Sequence, residues 1–115
     1  EPVERIRSWR EAGELLPTTL DTQDGFIHLS PIKGVEETAA RYYLPSDGVA
    51  AVEVAVGPLG RALVFEDVLG REEPMPHLYA PTIPWSAVTA IHDLNFDAAG
   101  VTLGERHGLQ EFFAR

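Results

Sequence analysis

The chain has 115 residues, of which 44% are apolar, and this is enough to fill the core of one domain spanning residues 1–115. Its 18 acidic residues outnumber its 9 basic ones and give a net charge of −9, and Lys33 is the only lysine. Long RNA and DNA are bound through Lys/Arg clusters, which the sequence lacks, so they are disfavoured as partners. A small nucleotide stays compatible with this charge, because one or two arginines and a few backbone N–H groups can hold a phosphate.

The sequence contains no cysteine and no long apolar run. Without cysteine there can be no disulfide, no thiolate nucleophile and no zinc–cysteine site. No run approaches the roughly 18 apolar residues of a membrane span, and no signal peptide is recognisable. We therefore expect a cytoplasmic protein with no membrane partner. Nothing in the sequence identifies a protein partner.

The N-terminal elements are predicted from capping and turn signals. Residues 3–6 predict a short opening strand. The spacing of Ser8 and Glu11 matches a capping box, which would start a short helix ending near Gly13. The polar stretch at 17–25, PTTLDTQDG, predicts a loop that closes on an Asp-Gly turn.

A predicted strand at 26–29 leads into the strongest helix signal of the chain. Ser30 is placed as the N-cap and Pro31 as the first helical position of a helix running to about Tyr43. Four residues at helical spacing are expected to face the core. These residues are Ile32, Val35, Ala39 and Tyr42.

The rest of the chain reads mainly as strands. Alternation at 52–56 predicts a half-buried strand, and 62–66 predicts a second strand antiparallel to it. We expect 77–80 to be an edge strand, because Pro76 cannot donate to a ladder. The last predicted elements are a helical turn at 85–88, a strand at 88–94 and a short helix at 105–115. Strands that outnumber helices and lack regular crossovers indicate an α+β fold rather than a doubly wound parallel sheet.

Two His-Leu pairs in short apolar strands are the main functional clue. His28 lies in GFIHLS and is followed by Ser30, and His77 lies in PHLY with Tyr79 on the same face of its strand. Either histidine could be a core residue hydrogen-bonded to the backbone. Alternatively, both face a ligand. His77 and Tyr79 would then stack on and hydrogen-bond a heteroaromatic ring, while Ser30 lies at a helix N-terminus suited to an anion.

Further candidates are weaker on residue type alone. Glu66 ends a strand and could act as a base or bind a ribose hydroxyl, and Arg41 could face a phosphate, but solvated side chains would explain both. His92 and His107 are interpreted as structural or exposed. No metal is expected, because the four histidines have neither HxH nor HExxH spacing.

Three stretches together resemble a known bacterial family. The stretches are DTQDGFIHLS at 21–30, Glu-Thr-Ala at 37–39 and PHLY at 76–79. They are similar to the family called domain of unknown function 952 over residues 3–95, with 96–115 as a C-terminal extension. Phe65-Glu66 stands where that family usually has Trp-Glu. The family commonly continues with Ser-Arg-Gly-Gly, whereas the loop here is longer, so Arg71 is the residue that could replace the family's arginine.

That family in turn resembles the ADP-ribosyltransferase-like superfamily, including RNA 2′-phosphotransferases, which carry a His-Val-His-Leu-Ser run. The resemblance implies a split β-sheet with an NAD-binding cleft and ADP-ribosyl or phosphoryl transfer to a small or protein substrate. It implies catalytic roles for His28, His77 and Glu66. Phe26 replaces the first histidine of that run, which argues against the phosphotransferase reaction.

The same resemblance suggests how a nucleotide would be held. His28 and Ser30 would contact ribose or phosphate, with Arg41 and Arg71 as further binding residues, and Tyr79 would stack on the nicotinamide. Glu66 would stabilise an oxocarbenium-like centre. Two alternatives stay open: a metabolite sensor without turnover, and a protein-interaction module whose histidines are structural.

Overall fold

The structure is a computed structural model, and it describes residues 1–114. These residues form four helices and eight strands. In chain order they are α1 (Val3–Ala12), β1 (Glu14–Leu15), α2 (Thr19–Asp24), β2 (Ile27–His28), α3 (Val35–Tyr42), β3 (Ala50–Val54), β4 (Leu63–Glu66), β5 (Met75–Leu78), β6 (Ile83–Pro84), β7 (Val88–Asp97), β8 (Gly100–His107) and α4 (Leu109–Phe113). Short 3₁₀ turns occupy several of the connections, at Ile32–Gly34, Pro45–Asp47, Gly57–Ala62 and Trp85–Ala87.

The strands of residues 1–114 form three small sheets, with the orders β1-β6, β2-β5-β4 and β3-β7-β8. Every pairing among them is antiparallel. The α+β class predicted from the sequence is therefore confirmed. No helix within residues 1–114 is long and apolar enough to cross a membrane.

One hydrophobic core joins α1, the sheets and α4. Ile6, Leu78, Ile83 and Ile91 are its largest fully enclosed side chains. Burying each of them contributes about 1.5–3 kcal/mol of hydrophobic free energy. Trp9, Ile27 and Phe112 belong to the same cluster. Because Ile27 of β2 and Leu78 of β5 are both part of it, the core packs against one face of these two strands.

The predicted opening strand is wrong, because residues 3–6 are the first turn of α1. Ile6 and Trp9 are both buried, and their i, i+3 spacing is that of a helix face. Ser8 does not cap the helix; its hydroxyl donates to the Glu4 carbonyl one turn back. The helix does end at Gly13, as predicted, in the left-handed conformation with φ of 82°.

The predicted loop at 17–25 contains helix α2. Thr18 and Asp21 form a reciprocal capping box: the Thr18 side chain accepts from the Asp21 N–H, and the Asp21 carboxylate accepts from the Thr18 N–H. Gly25 then ends the helix with φ of 84°. The polar composition of this stretch favoured the prediction of a loop, although Thr18 and Asp21 have the spacing of a capping box that starts a helix.

The third helix starts later than predicted. A 3₁₀ turn at Ile32–Gly34 comes first, and Ser30 donates to the Thr38 hydroxyl instead of capping. Of the expected core face, Ala39 is buried, but Ile32 is 76% exposed and Tyr42 is 61% exposed. These two side chains line a cleft rather than the core.

The strand carrying His77 is the middle strand of its sheet, not an edge, and β4 pairs with β5 rather than with β3. Pro76 fits there because of where β2 ends. The Pro76 carbonyl accepts from the Leu29 N–H, so its ring nitrogen points to the same side, past the last residue of β2. Pro76 therefore leaves out only the reciprocal bond to the Leu29 carbonyl, one residue beyond the end of β2.

The C-terminal region forms a hairpin that the sequence pattern missed. Strand β7 continues to Asp97, and β8 returns from Gly100, so the predicted tail helix is reduced to α4. Phe112 is buried, as expected for that helix. Arg115, the last residue of the predicted helix, lies outside the described residues.

Candidate functional site

A cleft of about 740 Å³ opens between the two three-stranded sheets. Strands β2 and β5 contribute one wall, β3 and β7 contribute another, and α3 borders both. This volume falls within the range of ligand pockets in proteins, roughly 300–1,000 Å³. Of the predicted site residues, His28, Ser30, Arg41, Arg71 and His77 line the cleft.

The two histidines that the sequence singled out meet across neighbouring strands. His28 of β2 pairs directly with His77 of β5, and their ring centroids are 5.8 Å apart. Phe26 stacks on His77 with a centroid distance of 4.0 Å and lies 4.7 Å from His28. Tyr79 extends this aromatic cluster, with its ring 5.3 Å from that of Phe26.

His77 is held by Glu66 from the adjacent strand β4. The Glu66 Oε1 atom is 2.9 Å from His77 Nδ1 and also accepts a short hydrogen bond from the Tyr79 hydroxyl. These two bonds, the Tyr79 one first, lower the pKa of Glu66, so the carboxyl is ionised and can only accept. The proton of that contact therefore lies on His77 Nδ1.

The other nitrogen of His77 is left for a ligand. His77 Nε2 has no hydrogen-bond partner among residues 1–114, although the side chain is only 9% exposed. Nε2 is not one of the completely buried, unpaired polar atoms of that part of the chain, so it is partly accessible to solvent. With Nδ1 protonated, a neutral His77 presents an unpaired lone pair on Nε2, and His77 is one of the residues that line the cleft.

His28 is bound on both sides by carboxylates of α2. Its Nδ1 is 2.6 Å from Asp21 Oδ1, and its Nε2 is 2.8 Å from Asp24 Oδ2. Asp21 also accepts the backbone N–H groups of His28 and Thr18. Burial raises the pKa of Asp21, but these hydrogen bonds outweigh it and hold the pKa below its ordinary value. A ligand contact from His28 requires one of the two carboxylates to move away.

Ser30, Thr38 and Arg71 form a small polar cluster at the α3 side of the cleft. Thr38 Oγ1 accepts from Ser30 Oγ at 3.0 Å and from Arg71 Nη2 at 3.2 Å. Arg41 instead donates to Glu37 at 2.8 Å and is 45% exposed. The structure thus brings Ser30 together with Arg71, and it keeps Arg41 at the rim.

Glu66 and Tyr79 do not line the large cleft. Tyr79 borders a shallower depression of about 340 Å³ together with Phe26 and Pro81. His77 links Glu66 and Tyr79 to the cleft, because it bonds to the Glu66 carboxylate and is itself one of the residues that line the cleft. Glu66 is thus in a position to orient His77.

Sequence reasoning missed a third histidine–carboxylate pair in the cleft, formed by His92 and Glu53. Arg106 and Thr89 also donate to Glu53, and together with His92 they lower its pKa to about 2, Arg106 contributing most. Alternation alone could have placed Glu53 and His92 on strands. Only the register, which sets Ala51 opposite His92, brings their side chains together.

One group of metal-ligand residues lies apart from the cleft. Within residues 1–114, ligand atoms of Asp93, Glu105 and His107 come within 4.8 Å of one another on the β7–β8 hairpin. His107 Nε2 lies 2.9 Å from Asp93 Oδ2, so a hydrogen bond accounts for their closeness. The expectation that the protein uses no metal stays a prediction.

Comparison with known proteins identifies the family. The model of the family described as Protein of unknown function (DUF952) matches residues 1–91. The chain belongs to this family. The crystal structure of protein CC0527 from Caulobacter crescentus is similar, with 31% identity over 99% of this chain and 94% of that one and a TM-score of 0.75. The solution NMR structure of CC0527 gives 33% identity over 88% of this chain and 85% of that one, with a TM-score of 0.72. No protein with a curated description matches the chain.

All the predicted site residues lie within the stretch matched by DUF952. The match ends at residue 91, inside β7, so the β8 strand and α4 follow it. The similarity to CC0527 nevertheless covers almost the whole chain, including this hairpin. The cleft is therefore built from the family region, while the C-terminal hairpin completes one of its walls through Leu94 and Leu103.

Proposed function

We propose that the cleft binds a small nucleotide of the NAD type, and that its two facing sheets are an ADP-ribosyltransferase-like split sheet. The observation that carries the proposal is the state of His77. Its ring is nearly buried among aromatic side chains, its Nδ1 is fixed by Glu66, and its Nε2 is unpartnered among residues 1–114. An imidazole held in this way at a cleft is suited to recognise or to act on a ligand.

The surroundings of His77 suit a heteroaromatic ring. Phe26 covers one face of the imidazole, and Tyr79, 48% exposed, offers its own ring to solvent. Aromatic faces of this kind stack on flat rings such as nicotinamide or adenine. Ser30, Arg41 and Arg71, which line the same cleft, would then face the ribose and phosphate groups.

If the bound nucleotide reacts, His77 is the residue placed to move a proton. In ADP-ribosyl transfer the bond between nicotinamide and ribose breaks, and nicotinamide leaves. An oxygen or nitrogen of a small or protein acceptor then bonds to the anomeric carbon, and His77 Nε2 takes the proton that the acceptor gives up. Glu66 would stabilise the imidazolium so formed, as in other histidine–carboxylate pairs.

The second candidate is a nucleotide or metabolite sensor without turnover. It is favoured by His28, whose two nitrogens are both engaged by Asp21 and Asp24. A histidine occupied in this way stabilises the site rather than reacting. Under this alternative ligand binding survives Glu66→Gln, and no turnover is seen.

The test is a thermal-shift titration of wild type and His77→Ala with NAD, ADP-ribose and nicotinamide. A ligand at 100 times its Kd adds about 2.7 kcal/mol to the free energy of unfolding, which raises Tm by several degrees in a small domain. We expect this shift in wild type and its loss in His77→Ala, with each Tm referred to the same variant without ligand. Equal Tm values with and without all three compounds in wild type contradict the proposal.

A further inference from the structure

Strand β3 is an edge strand that borders the cleft. The strand order β3-β7-β8 gives it a partner strand on one side only. Every residue of β3, Ala50–Val54, lines the cleft. An edge strand presents unpaired N–H and C=O groups, and proteins normally shorten, charge or cover such edges. The backbone groups on the outer side of β3 therefore belong to what the cleft offers a ligand.

The hydrogen bonds at the two ends of β3 show which of its backbone groups point outward. The Ala50 N–H donates to the Glu1 carbonyl at 2.9 Å, and the Ala50 carbonyl accepts from the Glu1 amino group at 3.0 Å, on the side away from β7. Ala55 instead donates at 2.8 Å to the carbonyl of the residue that precedes β7. Because successive residues direct their backbone groups to opposite sides, Val52 and Val54 point outward, as Ala50 does.

Nothing within residues 1–114 pairs with these outward groups. The N–H and C=O groups of Val52 and Val54 make no hydrogen bond to a backbone or side-chain group of that part of the chain, and Glu1 covers the edge only at Ala50. Both valines are half-buried, and unpaired backbone groups held away from water cost free energy. Two donors and two acceptors, separated by one residue, are thus available to a ligand along β3.

The spacing of these groups matches an extended peptide backbone. An antiparallel segment beside β3 would place its residues opposite Val52 and Val54 in hydrogen-bonded pairs, each of which exchanges two bonds. Glu1 already forms such a pair with Ala50, so this edge accepts an antiparallel partner. Binding of this kind takes its affinity from the main chain and its specificity from alternate side chains.

The two faces of β3 indicate which side chains the segment would carry. Val52 and Val54 pack against the hydrophobic core, so residues opposite them would place apolar side chains on the same face. Glu53 lies on the other face, and hydrogen bonds, that from Arg106 first, lower its pKa to about 2 and keep it ionised. Opposite charges across a strand pair are favourable, so a basic residue fits opposite Glu53. The net charge of −9 also attracts a basic segment.

We propose that the outer edge of β3, at Val52 and Val54, binds an extended segment of another protein in which apolar residues alternate with basic ones. The segment would run antiparallel to β3 and lie in line with Glu1. This docking edge is defined by backbone groups and does not depend on nucleotide binding. Only the identification of the segment as the protein acceptor of ADP-ribosyl transfer rests on the proposed function.

The experiment adds the peptide acetyl-Lys-Val-Lys-Val-Lys-amide to the ¹⁵N-labelled full chain and follows the backbone amides by NMR. The peptide valines would pair with Val54 and Val52, and the middle lysine would lie opposite Glu53. We expect saturable shifts of the Val52 and Val54 amide signals, and slower hydrogen exchange at both when the peptide is bound. Without peptide, these two amides should exchange faster than those of Ala51 and Glu53, which point toward β7.

Two N-methylated peptides test the geometry without any change to the protein. Methyl groups on both valine nitrogens remove the N–H donors that would face β3. Methyl groups on the nitrogens of the middle and last lysines remove donors that would face away from β3. We expect the valine-methylated peptide to bind at least about tenfold more weakly than the unmodified peptide, which corresponds to the loss of one hydrogen bond. The lysine-methylated peptide should bind as the unmodified one does.

Three results would overturn the docking edge. The first is a set of Val52 and Val54 amide signals that the peptide leaves in place. The second is equal affinity of the two methylated peptides. The third is hydrogen exchange at Val52 and Val54 in the free protein that is as slow as at Ala51 and Glu53.

The histidine signals separate the docking edge from the nucleotide proposal. If the peptide binds at Val52 and Val54 while ADP-ribose leaves the His77 Nε2 signal in place, the docking edge stands and the nucleotide proposal is wrong. If ADP-ribose shifts the His77 signal while the peptide does not bind, the docking edge is wrong and the nucleotide proposal stands.

Discussion

Asp21→Asn should be strongly destabilising, because Asp21 joins helix α2 to the strand that carries His28. The carboxylate is buried and accepts from the Thr18 N–H at 2.8 Å, the His28 N–H at 3.0 Å and His28 Nδ1 at 2.6 Å. An asparagine keeps the shape but turns one acceptor oxygen into an NH₂ group that faces a donor. Hydrogen bonds to charged groups are worth about 1.5–3 kcal/mol each, so we expect a loss of about 2–4 kcal/mol.

The magnitude is large enough to measure directly. At about 4 °C per kcal/mol for a domain of this size, Tm should fall by roughly 8–16 °C. Asp24→Asn is the matched control: Asp24 is 42% exposed and makes one contact to the same histidine, at 2.8 Å. Exposed ion pairs contribute about 0–1 kcal/mol, so this variant should lose less than 1 kcal/mol.

The effect of Asp21→Asn should also depend on pH. The pKa of Asp21 is lowered in the folded state, so its contribution to stability is complete above the unfolded value of 3.8 and is lost as the pH falls through the lower folded value. Urea unfolding of wild type and variant at pH 7 and pH 3 measures this. The difference between them should shrink at pH 3. Equal losses in Asp21→Asn and Asp24→Asn at pH 7 would refute the role given to the buried carboxylate.

Two further predictions concern the hairpin and the His77 site. Gly104→Ala should lower the free energy of unfolding by about 1–3 kcal/mol in urea, because its Cβ would lie 2.9 Å from the Asp93 Cβ and 3.1 Å from the Asp93 carbonyl oxygen. Gly57→Ala, whose Cβ would have nothing within 4 Å, should change the free energy of unfolding little. Similar losses in both variants would contradict the close packing at Gly104. Glu66→Gln should lower the pKa of Tyr79 toward its ordinary value of 10.0, because the hydrogen bond to Glu66 raises it. The Tyr79 ¹³Cζ signal reports that titration by NMR, and an unchanged pKa would mean that the two groups are not bonded.

The class of the fold and its central pair of histidines could be predicted from the sequence. Short apolar segments bounded by turn residues indicated strands at β2 and β5, and the family motifs pointed to His28 and His77 together. The register between these strands then set the two side chains opposite each other. Local pattern was sufficient here because each histidine lies in a brief, well-delimited strand.

Other features depended on contacts between distant parts of the chain. Pro76 indicates an edge strand by local rules, and it lies in a middle strand only because β2 ends where its missing N–H would be needed. Ile32 and Tyr42 have helical spacing, but their side chains line the cleft and are not part of the core. The His92–Glu53 contact required the β3–β7 register, which the sequence pattern does not specify.

The central claim is that His77 presents an unprotonated Nε2 to a nucleotide. Two-bond ¹H–¹⁵N spectra of the histidine side chains, recorded with increasing ADP-ribose, test it most directly. We predict the Nδ1–H tautomer for neutral His77 and a saturable shift of its Nε2 signal, while His107, which does not line the cleft, stays unchanged. A neutral ring protonated on Nε2, or an Nε2 signal that ADP-ribose leaves in place, would contradict the account.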